Sequence, residues 1–403
     1  MRYLMLLFFL AITACNSTTK KNQVINENIV NPSKEDKTII SGANQTTDYL
    51  PLLKGKSVGV VANQTSVIFK GDTYIHLVDS LLSLNIKVTK VFAPEHGFRG
   101  VADAGEHIKD EVDAETGLPI ISLYGDNRKP SHEQMKGIDV MLFDMQDVGV
   151  RFYTYLSTLH YVMEVCAELN IPVIILDRPN PNGHYIDGPV REEDVKSFVG
   201  MHPVPIVYGM TIGEYGNMIN GEKWLDKGIQ CKLTVVPLKH YTYDSEYDLP
   251  IKPSPNLPNS TSINLYPSLC FFEGTNVSCG RGTEMQFQIF GSPFLPKESF
   301  DFSFTPQPNF GAKTPKYQGE LCYGRDLRNV NKLYEIKLDW LIEAYKLSSD
   351  KQTFFNNSFA RLAGTKKLQE QIKNGVSIED IKKSWGPGLE SFRKVREKYL
   401  LYK

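Results

Sequence analysis

Carboxylates, arginines and side-chain amides in this chain gather directly behind short apolar runs. Val58-Gly59-Val60-Val61-Ala62 leads into Asn63-Gln64-Thr65, and Val91-Phe92-Ala93 leads into Pro94-Glu95-His96-Gly97-Phe98-Arg99-Gly100. Val140-Met141-Leu142-Phe143 opens onto Asp144-Met145-Gln146-Asp147-Val148-Gly149-Val150-Arg151, and Val173-Ile174-Ile175-Leu176 onto Asp177-Arg178-Pro179-Asn180-Pro181-Asn182-Gly183. Turn chemistry accounts for the Asn, Pro and Gly of the last cluster. It does not require Glu95 beside His96, or Asp147 shortly before Arg151. Farther along, Phe272-Glu273-Gly274-Thr275-Asn276-Val277-Ser278-Cys279-Gly280-Arg281-Gly282-Thr283 mixes a carboxylate, an arginine and amide and hydroxyl groups with glycines. Glycines let backbone approach a ligand closely, and an arginine fork matches a carboxylate. The plainer alternative pairs Glu273 with Arg281.

Several chemistries lack their motifs. There is no GxSxG elbow, no GxxxxGK[ST] phosphate loop and no GxGxxG dinucleotide turn, which argues against serine hydrolysis and nucleotide-dependent catalysis, so no cofactor is expected. His96, Asp103, Glu106 and His107 fall close together, but without HExxH spacing; no bound metal is expected. A carboxylate- and amide-rich rim suits cleavage of a glycosidic bond, where an acid protonates the leaving oxygen while charge or a base stabilises the sugar cation. Glu95 is the candidate acid. His96 is placed to orient it or to bind substrate. Asn63, Arg99, Asp147, Arg151, Asp177, Arg178, Asn180, Glu273, Asn276 and Arg281 are the candidate substrate-binding residues.

The elements that must position these groups are βα units. β-branched runs at Ser57–Ala62, Lys87–Ala93, Asp139–Asp144, Val173–Asp177 and Lys232–Pro237 predict strands. Apolar residues at helical spacing over Tyr74–Leu84, Tyr155–Leu169 and Thr211–Gly221 predict crossover helices. That alternation implies an α/β domain with a mostly parallel sheet, in which ligands bind beyond the carboxyl ends of the strands. PIKPSPNLP at 250–258 reads as a linker, so domains are expected at 50–250 and 251–403. The second is smaller and less regular, with a strand over Tyr317–Tyr323, a helix start at Tyr266-Pro267-Ser268-Leu269, and helices over Leu333–Leu347 and Phe392–Leu401 that cover the first domain or its sheet edge.

The chain has 403 residues, 45 Lys+Arg against 46 Asp+Glu, and 41% hydrophobic residues. This composition excludes a disordered or collagen-like chain, and a net charge of -1 lacks the basic footprint that nucleic acid demands. At the N-terminus Met1-Arg2 precedes the apolar run Tyr3–Ile12 and then Thr13-Ala14-Cys15. Ten residues are too short to span a bilayer. They read as a secretory signal over 1–14, and Ile-Thr-Ala before cysteine is similar to a bacterial lipobox. Lipidated Cys15 would then anchor the mature chain to a membrane through a polar tether over 15–49, at the cell envelope and on the periplasmic face of an outer membrane. The remaining cysteines, Cys166, Cys231, Cys270, Cys279 and Cys322, are odd in number and lack zinc spacing, and are expected to be mostly buried thiols.

Several of these segments together resemble the exo-β-N-acetylmuramidases of the NamZ type, long known only as a domain of unknown function. They are VFAPEHGFRG (91–100), FDMQDVGVRFYTY (143–155), LDRPNPNG (176–183), YGMTIGEY (208–215), PSPNLPN (253–259) and FEGTNVSCGRGT (272–283). The resemblance implies a Rossmann-like domain joined to a smaller α+β auxiliary domain, with the active site in the cleft between them. It also implies release of N-acetylmuramic acid from the non-reducing ends of peptidoglycan-derived MurNAc-GlcNAc fragments, with the catalytic glutamate on Glu95 and the second catalytic group unassigned. Cys279 departs from the family's glycine-rich loop. N-acetylmuramic acid carries an ionised lactyl carboxylate, so a cation is expected to meet it: Arg281 or Arg151 first, then Arg99 or Arg178. A non-catalytic muropeptide-binding lipoprotein and a metal-dependent amide hydrolase are the competing classes. Oligomeric state is not legible from the sequence.

Overall fold

The computed structural model of the chain describes residues 38–95, 97–99 and 111–403; Cys15, His96, Asp103, Glu106 and His107 lie outside the described residues. The first half supplies strands β1 (Ser57–Ala62), β2 (Val67–Lys70), β3 (Thr73–His76), β4 (Lys87–Ala93), β5 (Glu111–Val112), β6 (Pro119–Ser122), β7 (Val140–Asp144), β8 (Val173–Leu176) and β9 (Leu233–Val236). Seven of them form one sheet in the order β5-β6-β4-β1-β7-β8-β9. Every neighbouring pair is parallel except β5 with β6. Each residue of β1, β7 and β8 is buried, as continuous β-branched runs must be when helices cover both faces.

Ranked along the chain, the six parallel strands β6-β4-β1-β7-β8-β9 stand in the order 3-2-1-4-5-6. This is the doubly wound, Rossmann-like arrangement, and its direction reverses between β1 and β7. Alternate residues of the strands feed two cores. Val58, Val60 and Ala62 pack with helices α1 (Thr46–Leu53) and α2 (Leu77–Ser83). Val61, Phe143 and Ile175 pack with α3 (Tyr155–Glu168) and α4 (Ile212–Gly221).

The second half folds around α5 (Ser260–Leu269) and an antiparallel sheet of β10 (Ile289–Ser292), β12 (Cys322–Asp326) and β11 (Phe302–Phe304), in that spatial order. Helices α6 (Asp339–Leu347), α7 (Phe359–Ala363), α8 (Lys367–Lys373) and α9 (Ile378–Arg396) complete it. Ile39–Lys403 is one compact unit. A single core joins Phe143 and Val162 of the first half to Phe271, Leu341 and Trp385 of the second. The C-terminus returns to the parallel sheet, where Arg396 Nε donates to the Gly209 carbonyl at 2.9 Å and the Tyr402 hydroxyl to Asp177 at 2.5 Å.

Several elements depart from expectation. The helix predicted over Tyr74–Leu84 starts only at Leu77, because Thr73–His76 pairs with Val67–Lys70 as a hairpin. Gly71, with φ +59, makes the turn. Tyr266-Pro267-Ser268-Leu269 is the last turn of α5 rather than a start; the start is capped earlier, where the Asn259 side chain accepts from Ser262 N at 2.9 Å. The strand expected over Tyr317–Tyr323 is β12, which begins at Cys322, and the last long helix begins at Ile378, well before Phe392. The tether drawn over 15–49 ends early: the Ile40 backbone pairs with Lys239, and Ala43 and Tyr49 are fully buried. Cys166, Cys231, Cys270, Cys279 and Cys322 are all buried free thiols.

Candidate active site

Glu95 stands just past the end of β4, where the chain must turn away from the sheet edge. Gly97 N donates back to the Pro94 carbonyl at 3.0 Å, and Gly97 takes φ +77, which side chains with a Cβ rarely adopt. The turn aims Glu95 at the N-terminus of α3. Thr154, the N-cap of α3, makes no side-chain bond to its own helix. Its Oγ1 instead donates to Glu95 Oε2 at 3.2 Å. Tyr124, just after β6, also hydrogen-bonds Glu95; burial first and the neighbouring carboxylate second push its phenol up to about 12.

The second half supplies the facing wall. Past α5, the turn Cys270–Gly274 presents Glu273, whose Oε1 accepts from Arg281 Nε at 2.5 Å. Burial works against the charge on Arg281, but the Glu273 carboxylate outweighs it and the guanidinium pKa is raised. The backbone of the turn is stapled by Lys316, whose ammonium donates to the carbonyls of Thr275 at 2.7 Å and Phe272 at 2.9 Å, and by Asn356 Nδ2, which reaches the Glu273 carbonyl at 3.1 Å. Phe152, Tyr266 and Phe287 pack edge to face, and Arg281 lies 5.1 Å from the centre of the Phe287 ring. Glu95, Tyr124, Arg128, Glu273, Arg281 and Arg361 line one cleft of about 350 Å³.

Glu95, Glu273 and Arg281 are therefore brought together, and the plain alternative of a Glu273–Arg281 pair is realised within the cleft. The other candidates lie elsewhere. Arg99 grips Asp113, with Nη2 to Oδ2 at 2.9 Å, and reaches Asp79 at 3.5 Å. Asn63 shapes its own turn, accepting from Thr65 N at 2.9 Å while Nδ2 donates to the Tyr155 hydroxyl at 2.7 Å. Asp144 and Arg178 form a buried two-point pair, at 2.5 and 2.8 Å. Asp177 accepts from Thr211 Oγ1 at 2.7 Å and Gly213 N at 2.8 Å, anchoring α4; burial pushes its carboxyl up to about 7. Asp147 accepts from Gly149 N and the Tyr208 hydroxyl, and burial pushes it up to about 6.

Arg151 is fully enclosed. Its guanidinium donates to the carbonyls of Pro189, Val204 and Leu362 at 2.7 to 3.0 Å. Asn180 donates to the Met210 carbonyl and Asn276 to that of Asp350. These side chains hold the loops behind the cleft rather than line it. The sequence reading does not single out Tyr124, Thr154, Arg128 or Arg361; it assigns Tyr266 to a helix start and 250–258 to a linker, whereas Tyr266, Ser254, Asn256 and Leu257 reach the cleft beside Glu95. Thr154 carried a usable signal, since it directly precedes the apolar periodicity of α3 at the end of the loop that leaves β7.

Two family models cover the chain: the N-terminal part of the exo-β-N-acetylmuramidase NamZ over residues 58–261 and its C-terminal part over 264–402. The chain belongs to the NamZ family. It is 38% identical to the peptidoglycan β-N-acetylmuramidase NamZ of Bacillus subtilis, over 98% of this chain and 97% of that one. Two crystal structures of DUF1343 family proteins from Bacteroides fragilis share its fold. One has 44% identity and a TM-score of 0.83, the other 31% and 0.77; each comparison covers 91% of this chain and 99% of the other. The cleft between the two NamZ parts is the one that Glu95 enters from the first and Glu273 and Arg281 from the second.

Proposed function

We propose that this chain is an exo-acting glycoside hydrolase that releases N-acetylmuramic acid from the non-reducing ends of peptidoglycan fragments, with Glu95 as general acid. The observation that carries the role of Glu95 is its carboxyl group, fixed by Thr154 and Tyr124 in a cleft shared with Glu273 and Arg281. Membership of the NamZ family and the Bacillus subtilis relative support the substrate class.

In the proposed reaction Glu95 gives its proton to the glycosidic oxygen as the bond from that oxygen to the anomeric carbon breaks. Positive charge then spreads over the ring oxygen and anomeric carbon, and a carboxylate in the cleft stabilises it. Water adds to the anomeric carbon and its proton leaves to a base. Arg281 is the cation for the lactyl carboxylate, with Arg128 and Arg361 lining the same cleft. The chain is anchored through lipidated Cys15 at the cell envelope, on the periplasmic face of an outer membrane.

Protein lacking residues 1–15 should release nitrophenol from nitrophenyl N-acetyl-β-muraminide. Binding of the free sugar without turnover would make the chain a muropeptide-binding lipoprotein instead. Lipid labelling of the full chain that survives Cys15→Ser would contradict the anchor.

A further inference from the structure

Beside Glu95 the cleft deepens into a side pocket of about 60 Å³, walled by Phe152, Leu257, Tyr266 and Phe287. At roughly 10–15 Å³ for each water-sized group, such a space holds about four to six heavy atoms. Its polar character includes an unusual group. Asn256 lines the pocket, is 1% exposed, and its Oδ1 is shut off from solvent with no hydrogen-bond partner among the described residues. The amide orientation is fixed, because Nδ2 donates to the Gly311 carbonyl at 2.7 Å and that carbonyl can only accept. Gly311 can come so close only without a side chain: its φ is +95, and a Cβ there would stand 2.7 Å from Pro255. Next to it, the Pro253 carbonyl is held by the Tyr153 hydroxyl at 2.7 Å. A rigid loop thus presents a desolvated, unpaired acceptor, which is costly unless a ligand donor meets it.

We propose that this pocket takes the 2-acetamido group of the sugar being cleaved, with Asn256 Oδ1 accepting its N–H and the aromatic walls packing its methyl group. The inference rests on the muramidase reading. C2, which bears the substituent, is bonded directly to the anomeric carbon that Glu95 serves, so its pocket has to open beside that carboxyl group. An acetamido group, with an apolar methyl and an N–H donor, matches a pocket whose aromatic walls stand beside an orphaned acceptor, with Glu95, Thr154, Ser254 and Arg281 completing the lining.

The test compares nitrophenyl N-acetyl-β-muraminide with its 2-acetoxy isostere, in which oxygen replaces N–H. Wild-type enzyme should favour the amide by roughly 10- to 100-fold in kcat/KM, the scale of one buried hydrogen bond left unmade. Asn256→Ala should bring that ratio close to one, whatever it does to overall activity. A merely structural Asn256 would lower both substrates in proportion and leave the ratio intact, which would overturn the inference. Wild-type enzyme that turns over both substrates equally would overturn it too, without need of the variant. Wild-type enzyme inactive on the muraminide itself would overturn the muramidase reading, and this inference with it.

Discussion

Arg281 donates its Nε–H to Glu273 at 2.5 Å in the cleft that Glu95 also lines. The bond engages one edge of the guanidinium and leaves the Nη groups to meet a second anion. Arg281→Ala should therefore cost roughly 10- to 150-fold in kcat/KM on a muraminide, on the scale of one charge-assisted pair, and much less on the matching glucosaminide, which lacks the lactyl carboxylate. Parallel assays of the two substrates check this. An unchanged preference would assign the carboxylate to another donor.

Arg151 is the other leading sequence candidate for that role, yet it is fully buried and three backbone carbonyls hold its Nη groups. Removing it leaves buried acceptors unpaired, at ~1–3 kcal/mol each. Arg151→Ala should lower the denaturant midpoint by an amount equivalent to about 3 kcal/mol or more. Substrate preference in whatever enzyme remains folded should not move.

Much of this architecture was legible beforehand. The strands Ser57–Ala62 and Lys87–Ala93 emerge with the expected bounds: the first is buried throughout as an apolar run after its opening serine, and the second ends in the buried Val91-Phe92-Ala93 before a polar turn. β6 escaped notice: it has only four residues and starts at a proline, and its place beside β4 is set by long-range pairing. The site was legible by half. Strand-end position marks Glu95, and residue type marks Glu273 and Arg281. The same rule also picks Asp147, Asp177 and Arg178, whose charges anchor loops. Only partners distant in sequence separate the two uses, and 253–257 passed for a linker because its contacts with the cleft are of that kind.

A buried histidine pair sets a dependence on pH. His160 Nδ1 lies 3.0 Å from His202 Nε2, and His202 Nδ1 lies 3.1 Å from the Tyr215 hydroxyl. Burial, and then the neighbouring His160 and Arg191, hold His202 below its ordinary pKa; Trp224 stacks on its ring. A histidine whose pKa is depressed by folding contributes stability above its unfolded value, near 6.5, and that contribution is lost as pH falls, by about 1.4 kcal/mol per pH unit for each proton taken up on unfolding. Asp177, raised to about 7 by burial, acts in the opposite sense. The difference between wild type and His202→Gln is therefore the informative quantity. Wild type should lose more stability than the variant between pH 7 and pH 5 in thermal melts, and parallel curves would contradict this.

The Tyr402 hydroxyl donates to Asp177 at 2.5 Å and accepts from Leu238 N at 2.8 Å, next to the carboxyl end of β8. Tyr402→Phe removes both bonds from a buried site and should destabilise by ~1–3 kcal/mol. Thermal unfolding should show a lower Tm with kcat nearly unchanged at assay temperature. A Tm equal to wild type would mean that the C-terminal segment does not brace the sheet.

The account turns on Glu95 as the proton donor, and the most direct test is turnover of a natural MurNAc-GlcNAc disaccharide and of the nitrophenyl muraminide by wild type and Glu95→Gln. The amide keeps the size of the side chain and one acceptor oxygen for the hydroxyls around it but has no acidic proton to give. The expected result is a folded variant with kcat on the disaccharide lowered at least ~100-fold, and a smaller loss on the nitrophenyl substrate, whose leaving group needs little protonation. Undiminished turnover of the disaccharide by a folded Glu95→Gln would contradict the assignment.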